Sequence, residues 1–156
     1  MVFAPPILFV LTWALVLLGV TPPGADGDPP FDENAIRWIL FLAAGWTSIG
    51  AFLAHTVFAR KTAEGIGWTT NGFQYEVGFA NLGIGIACLV ASYQDVPEAW
   101  TIGATAVSVF YALAGINHVV GIVRDRNLAP GNSLILLADF GVPISLWILL
   151  LNGNYV

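Results

Sequence analysis

Hydrophobic residues gather in five long runs, at about 3–20, 35–59, 73–92, 100–123 and 134–151, separated by short polar connections. Each is close to the ~20 residues that a helix needs to cross ~30 Å of hydrocarbon. None shows the two-residue alternation of a barrel strand, so the pattern predicts helices. The expected fold is all-α and polytopic: a four-helix transmembrane bundle from the second to fifth runs, with one additional N-terminal transmembrane helix. The runs use most of the chain, which makes 1–156 a single transmembrane domain with no repeat. The first run has no positive flank before it, and Thr21-Pro22-Pro23-Gly24 is a poor cleavage site. It therefore reads as a retained helix rather than a signal peptide.

Composition agrees with that class. Of 156 residues, 57% are hydrophobic and 10% charged, with a mean hydropathy of +0.78. Soluble domains carry about 25% charge. A soluble enzyme, a disordered tail and a nucleic-acid module are excluded, and the net charge of -5 also disfavours a phosphate backbone as partner. A single cysteine leaves neither an intramolecular disulfide nor a cysteine-based zinc site.

Charge is partitioned between alternate connections. Asp26, Asp28, Asp32 and Glu33 follow the first run, and Asp95 and Glu98 follow the third, with no Lys or Arg among them. Arg60 and Lys61 follow the second run, and Arg124 and Arg126 follow the fourth. Arg37 departs from the pattern, just inside the second run. The positive-inside rule places the basic loops in the cytoplasm. The N-terminus is then cytoplasmic and the C-terminus external, in a multi-pass protein of the inner (plasma) membrane. Trp38, Tyr93, Trp100 and Tyr155 fall at the expected outer boundary, where aromatic side chains form belts.

Ionisable residues inside the runs are the candidate chemistry: His55, Glu76, His118 and Asp139, on the second to fifth helices in turn. By helical rise, His55 lies about 7 Å in from Arg60, and Glu76 about 6 Å in from Gly72. His118 lies about 9 Å in from Arg124, and Asp139 about 9 Å in from Ser133. Since the helices alternate in direction, all four belong to one cytoplasmic-side layer, which Asn117 shares and Asn81 approaches. Small residues share their faces: Ala51, Ser48 and Ala44 with His55; Ala80, Gly83, Ala87 and Ala91 with Glu76; Gly115 or Ala114, then Tyr111, Ser108 and Ala104 with His118. Small residues let helices pack closely, so these faces are expected to point inward. Pro143 lies four residues after Asp139 and removes a helical partner from the Asp139 carbonyl, which predicts a bend and a free acceptor there.

This layer, His55, Glu76, Asn81, Asn117, His118 and Asp139, has several readings. Buried polar groups can pair across helices and only fix packing, at about 0.6 kcal/mol per bond. Two imidazoles and two carboxylates suit a single divalent metal on His55, Glu76, His118 and Asp139. Glu-x-x-His pairs are absent, which argues against a dinuclear site. A haem between His55 and His118 is disfavoured by the carboxylates around it. A proton path or a small polar ligand would use the same groups. Other signals are weak. Gly65-Ile-Gly67 and Gly83-Ile-Gly85 lack a nucleotide-loop context. Ser48 and His55 are too far apart for a nucleophile–base pair, Cys88 reads as packing, and Trp46, Phe52 and Phe110 fit either a pocket or core filling.

Two segments carry a resemblance. Phe73-Gln74-Tyr75-Glu76-Val77-Gly78-Phe79-Ala80-Asn81-Leu82 is one, and Gly131-Asn132 with Leu137-Ala138-Asp139 and Pro143 is the other. Together with His118 they resemble a family of small prokaryotic membrane proteins of unknown function whose helical layout is similar to the DoxX-like proteins. The resemblance covers about 43–150 and implies a compact membrane bundle, with no established reaction. DoxX is associated with a thiosulfate:quinone oxidoreductase, but fold does not fix function, and no cysteine or cofactor motif here supports sulfur chemistry. Two functional classes follow. In one, the polar site binds a metal ion, proton or small polar ligand. In the other, the chain is a non-catalytic accessory subunit or assembly factor whose faces meet another membrane protein or a second copy.

Overall fold

The computed structural model describes residues 2–156, and among them there are only helices and connections. The chain runs through α1 (Ala4–Leu17), α2 (Phe31–His55), α3 (Ala59–Ile66), α4 (Gly72–Ser92), α5 (Pro97–Asp125), the short α6 (Pro130–Ser133) and α7 (Leu136–Asn152). α2, α4, α5 and the joined stretch Pro130–Asn152 are long and apolar enough to cross a membrane, while α1 has 14 residues.

Local chemistry sets the boundaries that hydropathy alone places loosely. α2 starts at Phe31 because Pro30 precedes it and Asp32 and Glu33 occupy its first turn, where carboxylates complement the helix dipole. It ends at His55. Carbonyls of its last turn accept from hydroxyls: Thr56 Oγ1 donates to Phe52 O (2.7 Å), which also takes the Thr56 N–H, and Thr62 Oγ1, from α3, donates to Ala54 O (2.7 Å).

α3 occupies a connection that hydropathy reads as a loop. Its signal is an amphipathic octet: Ala59, Thr62, Ala63 and Ile66 are buried, and Arg60, Lys61 and Glu64 are exposed. Gly67 closes it in the left-handed region at φ 80°, and the N–H of Trp68 donates back to Ala63 O at 2.8 Å. A side chain at Gly67 would also meet the Asn127 side chain 2.6 Å away. Glycine is required there on both counts.

Helix contacts run through small residues. A Cβ on Gly85 would lie 3.0 Å from Gly45 O, and one on Gly78 would lie 2.8 Å from Thr56, so α4 lies close along α2. At the far end of α4, Gly103 of α5 faces Ala91 and Cys88. Gly115 of α5 meets Asp139 and Phe140 of α7, where the Cβ of Asp139 leaves only 3.0 Å for an added carbon. α7 runs on through Pro143, which is buried. α1 does not stand apart from the others. Its Phe9 ring fills the space over Gly141, and Phe9, Thr12 and Val16 are buried.

α2 holds an irregularity with no sequence forecast: Ile39–Trp46 is wound as a π-helix. The wider winding is marked by Thr47 Oγ1, which donates to Leu42 O at 3.1 Å, five residues back. It leaves Ile39, Leu40, Ala43 and Ala44 in the core and turns Trp46 outward, about half exposed.

The two ends of the molecule differ in charge. At one end the Arg60–Lys61 and Arg124–Arg126 segments lie together, tied by Asn127 Nδ2 donating to Ile66 O at 2.8 Å. At the other, Arg37 gathers the acidic connections. Its guanidinium is fully buried and donates to Ser92 O (3.1 Å), Gly24 O (2.7 Å), Glu33 (3.1 Å) and Asp95. The lone basic residue that breaks the charge pattern is therefore the hub joining the α1–α2 and α4–α5 connections. Trp38 and Trp100 cluster at this end as well. Both are buried, with ring N–H groups on Val20 O (2.7 Å) and Gln94 O (2.8 Å), so they act as internal anchors rather than belt residues. Tyr155 packs edge-on against Trp100, and partial burial with the Glu33 and Asp32 carboxylates pushes its phenol above the ordinary value.

Candidate functional site: a cavity with one polar end

Between the helices, toward the basic end, lies a cavity of about 560 Å³. Its walls come from every long helix: Leu8 of α1, Gly50 and Ala54 of α2, Val77 of α4, Phe110 and Leu113 of α5, and Ile135 beside α7. The polar groups on it are His55, Asn81, Asn117, His118, Asp139 and the hydroxyl-bearing Thr47, Thr62 and Tyr111. The volume and the mostly apolar lining with a few polar groups are those of a small-molecule site.

The polar end is built by a chain of hydrogen bonds from the basic loops. Asn127 Nδ2 holds Ile66 O, and Asn127 O accepts from Asn132 Nδ2 at 2.9 Å. Asn132, fully buried, also donates to His118 O at 3.2 Å. Both amide protons of Asn132 are thus taken by carbonyls, so its Oδ1 is the acceptor for His118 Nδ1 at 2.7 Å. The imidazole carries its proton on Nδ1, and Nε2 is left with a lone pair. Trp68 lies flat on the same ring, with centroids 5.2 Å apart and planes 13° from parallel. Trp68 and Asn132, neither of them ionisable, therefore fix the orientation of His118.

His118 Nε2 points at Asp139 Oδ2, 4.0 Å away, beyond a hydrogen bond. Asp139 is 4% exposed, and its Oδ2 has no hydrogen-bond partner among the described residues. Nor has the buried Nδ1 of His55. Deeper in the interior, Ser48 and Tyr111 pair through their hydroxyls at 3.1 Å.

Of the residues singled out in the sequence, His55, Asn81, Asn117, His118 and Asp139 line this one cavity. Asn81 is buried and donates to Val77 O at 2.9 Å, while Asn117 is exposed at the rim. Glu76 is not among them. It lies on the exposed face of α4 with Phe73, Tyr75 and Phe79. α4 carries two stripes of small residues; of the expected one, Ala80, Gly83 and Ala87 are exposed and Ala91 is buried. The other, with Gly78, Asn81, Gly85 and Cys88, packs inward. Spacing alone could not choose between them. Among the described residues no group of three or more His, Cys, Asp or Glu side chains stands close enough to hold a metal ion. Asn132, Asn127 and Trp68 were not picked out as site residues. Asn132 was legible only as part of the Gly131-Asn132 resemblance.

An all-helical chain with four helices long enough to cross a bilayer is consistent with a multi-pass membrane protein. The chain belongs to DUF6790, a family of unknown function whose model matches residues 2–155. No curated protein and no solved structure matches it.

Proposed function

We propose that this is an integral membrane protein that binds a small molecule of mixed character in the cavity, with the polar part at His118, Asp139 and His55. One observation carries the reading: the mostly apolar cavity ends on two buried acceptor-capable atoms, Asp139 Oδ2 and His55 Nδ1, that no protein group satisfies. Such groups are costly in a low-dielectric interior, and a ligand that bonds to them recovers the cost. A packing device would have paired them with each other. A metal ion is less well supported, because Glu76 faces away and too few ligands converge. By the positive-inside rule the site lies in the cytoplasmic half of the inner membrane, with the N-terminus cytoplasmic. His118, Asn132 and Asp139, which carry part of the resemblance to a family of small membrane proteins of unknown function, are all at the polar end. That supports a shared binding site more than a shared reaction.

The test is to fill the cavity. Gly50 and Ala114 both line the cavity, and a Cβ on Gly50 meets nothing within 4 Å, so Gly50→Phe, alone and combined with Ala114→Phe, is directed at that space. Solvent extracts of wild-type protein purified in mild detergent should yield a bound small molecule by mass spectrometry, and the filled variants should lose it while keeping their helicity. Identical extracts from wild type and variants would overturn the proposal.

A further inference from the structure

The geometry points to the chemical class of this ligand: we propose a neutral, single-chain amphiphile with a hydroxyl head, which enters from the lipid between α4 and α5. The inference rests on the binding role proposed above and adds its head group, its chain and its path.

The head group follows from His118 and Asp139. Their facing atoms, Nε2 and Oδ2, are 4.0 Å apart. That is too far for a bond to each other, but it leaves a place where one atom can lie about 2.8 Å from both. The Asn132 bond fixes Nε2 as an acceptor. Asp139 is buried among the described residues with no cation or donor on Oδ2, a setting that favours the uncharged carboxylic acid; in that form the pair offers one lone pair and one O–H, without net charge. A hydroxyl matches this pattern, donating to Nε2 and accepting from the carboxylic acid. An ether has no proton for Nε2. An ammonium cannot accept from the acid and brings a charge to membrane depth, where charge is expensive.

Shape gives the rest. The polar groups lie at one end, and from there the walls run about 18 Å along α5 to Ala106 and about 13 Å along α2 to Trp46. At the ~30 Å³ that each water occupies in the liquid, 560 Å³ holds about twenty non-hydrogen atoms. That suits one chain and excludes a two-chain phospholipid. The head lies near the basic end and the chain runs toward the bilayer centre, as lipids of that leaflet lie. The helices α4 and α5 touch at Cys88, Ala91 and Gly103, near the acidic end. Toward the basic end the cavity lies between them, and its rim residues Val77, Val109 and Leu113 are 38%, 57% and 61% exposed.

The experiment uses full-length protein in lipid nanodiscs and three probes brominated at the chain end: a long-chain primary alcohol, its methyl ether and the amine of equal length. Trp46 lines the end of the cavity away from the polar groups, and bromine at the chain end quenches its fluorescence. The alcohol should quench saturably, at least tenfold more tightly than ether or amine. Asp139→Leu should remove that preference, and Gly50→Phe should remove the saturable component altogether. Val109→Trp, at the gap, should slow the approach to saturation. Equal binding of alcohol and ether, or tighter binding of the amine, would overturn the head-group assignment while the binding role stands. No saturable quenching by any probe would overturn both. An unchanged rate in Val109→Trp would overturn the path.

Discussion

Replacing Asn132 with Leu keeps the branching of the side chain, adds bulk, and removes every polar contact that it makes. Three hydrogen bonds go: to His118 Nδ1, His118 O and Asn127 O. At the ~0.6 kcal/mol typical of interhelical bonds in membranes, their loss amounts to about 2 kcal/mol. His118 is 8% exposed, so its Nδ1–H is also left buried without an acceptor, which adds about 1–3 kcal/mol. The expected destabilisation is about 3–5 kcal/mol, before any cost of fitting the bulkier Leu into a fully buried site. Unfolding by SDS titration in mixed micelles measures it. A second readout isolates the positioning role: in wild type, ¹⁵N spectra should show His118 protonated on Nδ1 and bare on Nε2. In Asn132→Leu the ring should lose that single tautomer, because nothing else in the structure demands it. A loss of less than 1 kcal/mol with the Nδ1 tautomer intact would refute the claim that Asn132 orients the site.

The other expectations concern separate parts of the fold. Arg37→Leu leaves Ser92 O and Gly24 O without their donor and should cost about 3 kcal/mol by the same titration, whereas Asp95→Ala, with a side chain 66% exposed, should cost under about 1 kcal/mol. Equal effects would mean that the ion pair, not the buried guanidinium, holds that end together. Gly67→Ala forces a side chain into the left-handed region and against Asn127, for a loss of about 2 kcal/mol in thermal unfolding, and a neutral result would show that the turn can reform elsewhere. Glu76→Gln should change stability by less than about 0.5 kcal/mol, since the side chain is exposed. A large loss would return Glu76 to the interior. Cysteines at Asp28 and Lys61, both exposed, should react with a membrane-impermeant reagent from opposite sides of the bilayer, Lys61→Cys from the cytoplasm. Labelling from one side would end the proposed orientation.

Much of the fold was legible because hydrophobic length is a strong signal. The four long helices fall where the apolar runs do, with ends shifted by a few residues through Pro30 and the Thr62 cap. Segments whose formation depends on contacts escaped. α3 is short and charged, and its helical pattern becomes visible only once Ala59, Thr62, Ala63 and Ile66 are known to face the bundle. The π-helical winding of Ile39–Trp46 has no breaker residue to announce it. Its only correlate is the approach of Gly45 to Gly85, a contact between residues forty positions apart.

The site was legible by depth and partly illegible by direction. Helical rise alone put His55, His118 and Asp139 at one level, and they share one cavity. The same arithmetic gave Glu76 that level and could not give it a face, since both stripes of α4 are made of small residues. What separates them is the partner's surface: Gly45, Ile49 and Thr56 of α2 fit against Gly78 and Gly85, and once that stripe is inward Glu76 must be outward. Depth is a property of one helix, whereas direction belongs to a pair. A carboxylate near a helix end can also leave its charge in the interfacial region at little cost, and Glu76 is only about 6 Å from the start of α4. Asp139 has no such escape. It is pressed against Gly115 and held among buried neighbours. Of two carboxylates at equal depth, the one whose Cβ is packed against a glycine is the one compelled to find a partner inside.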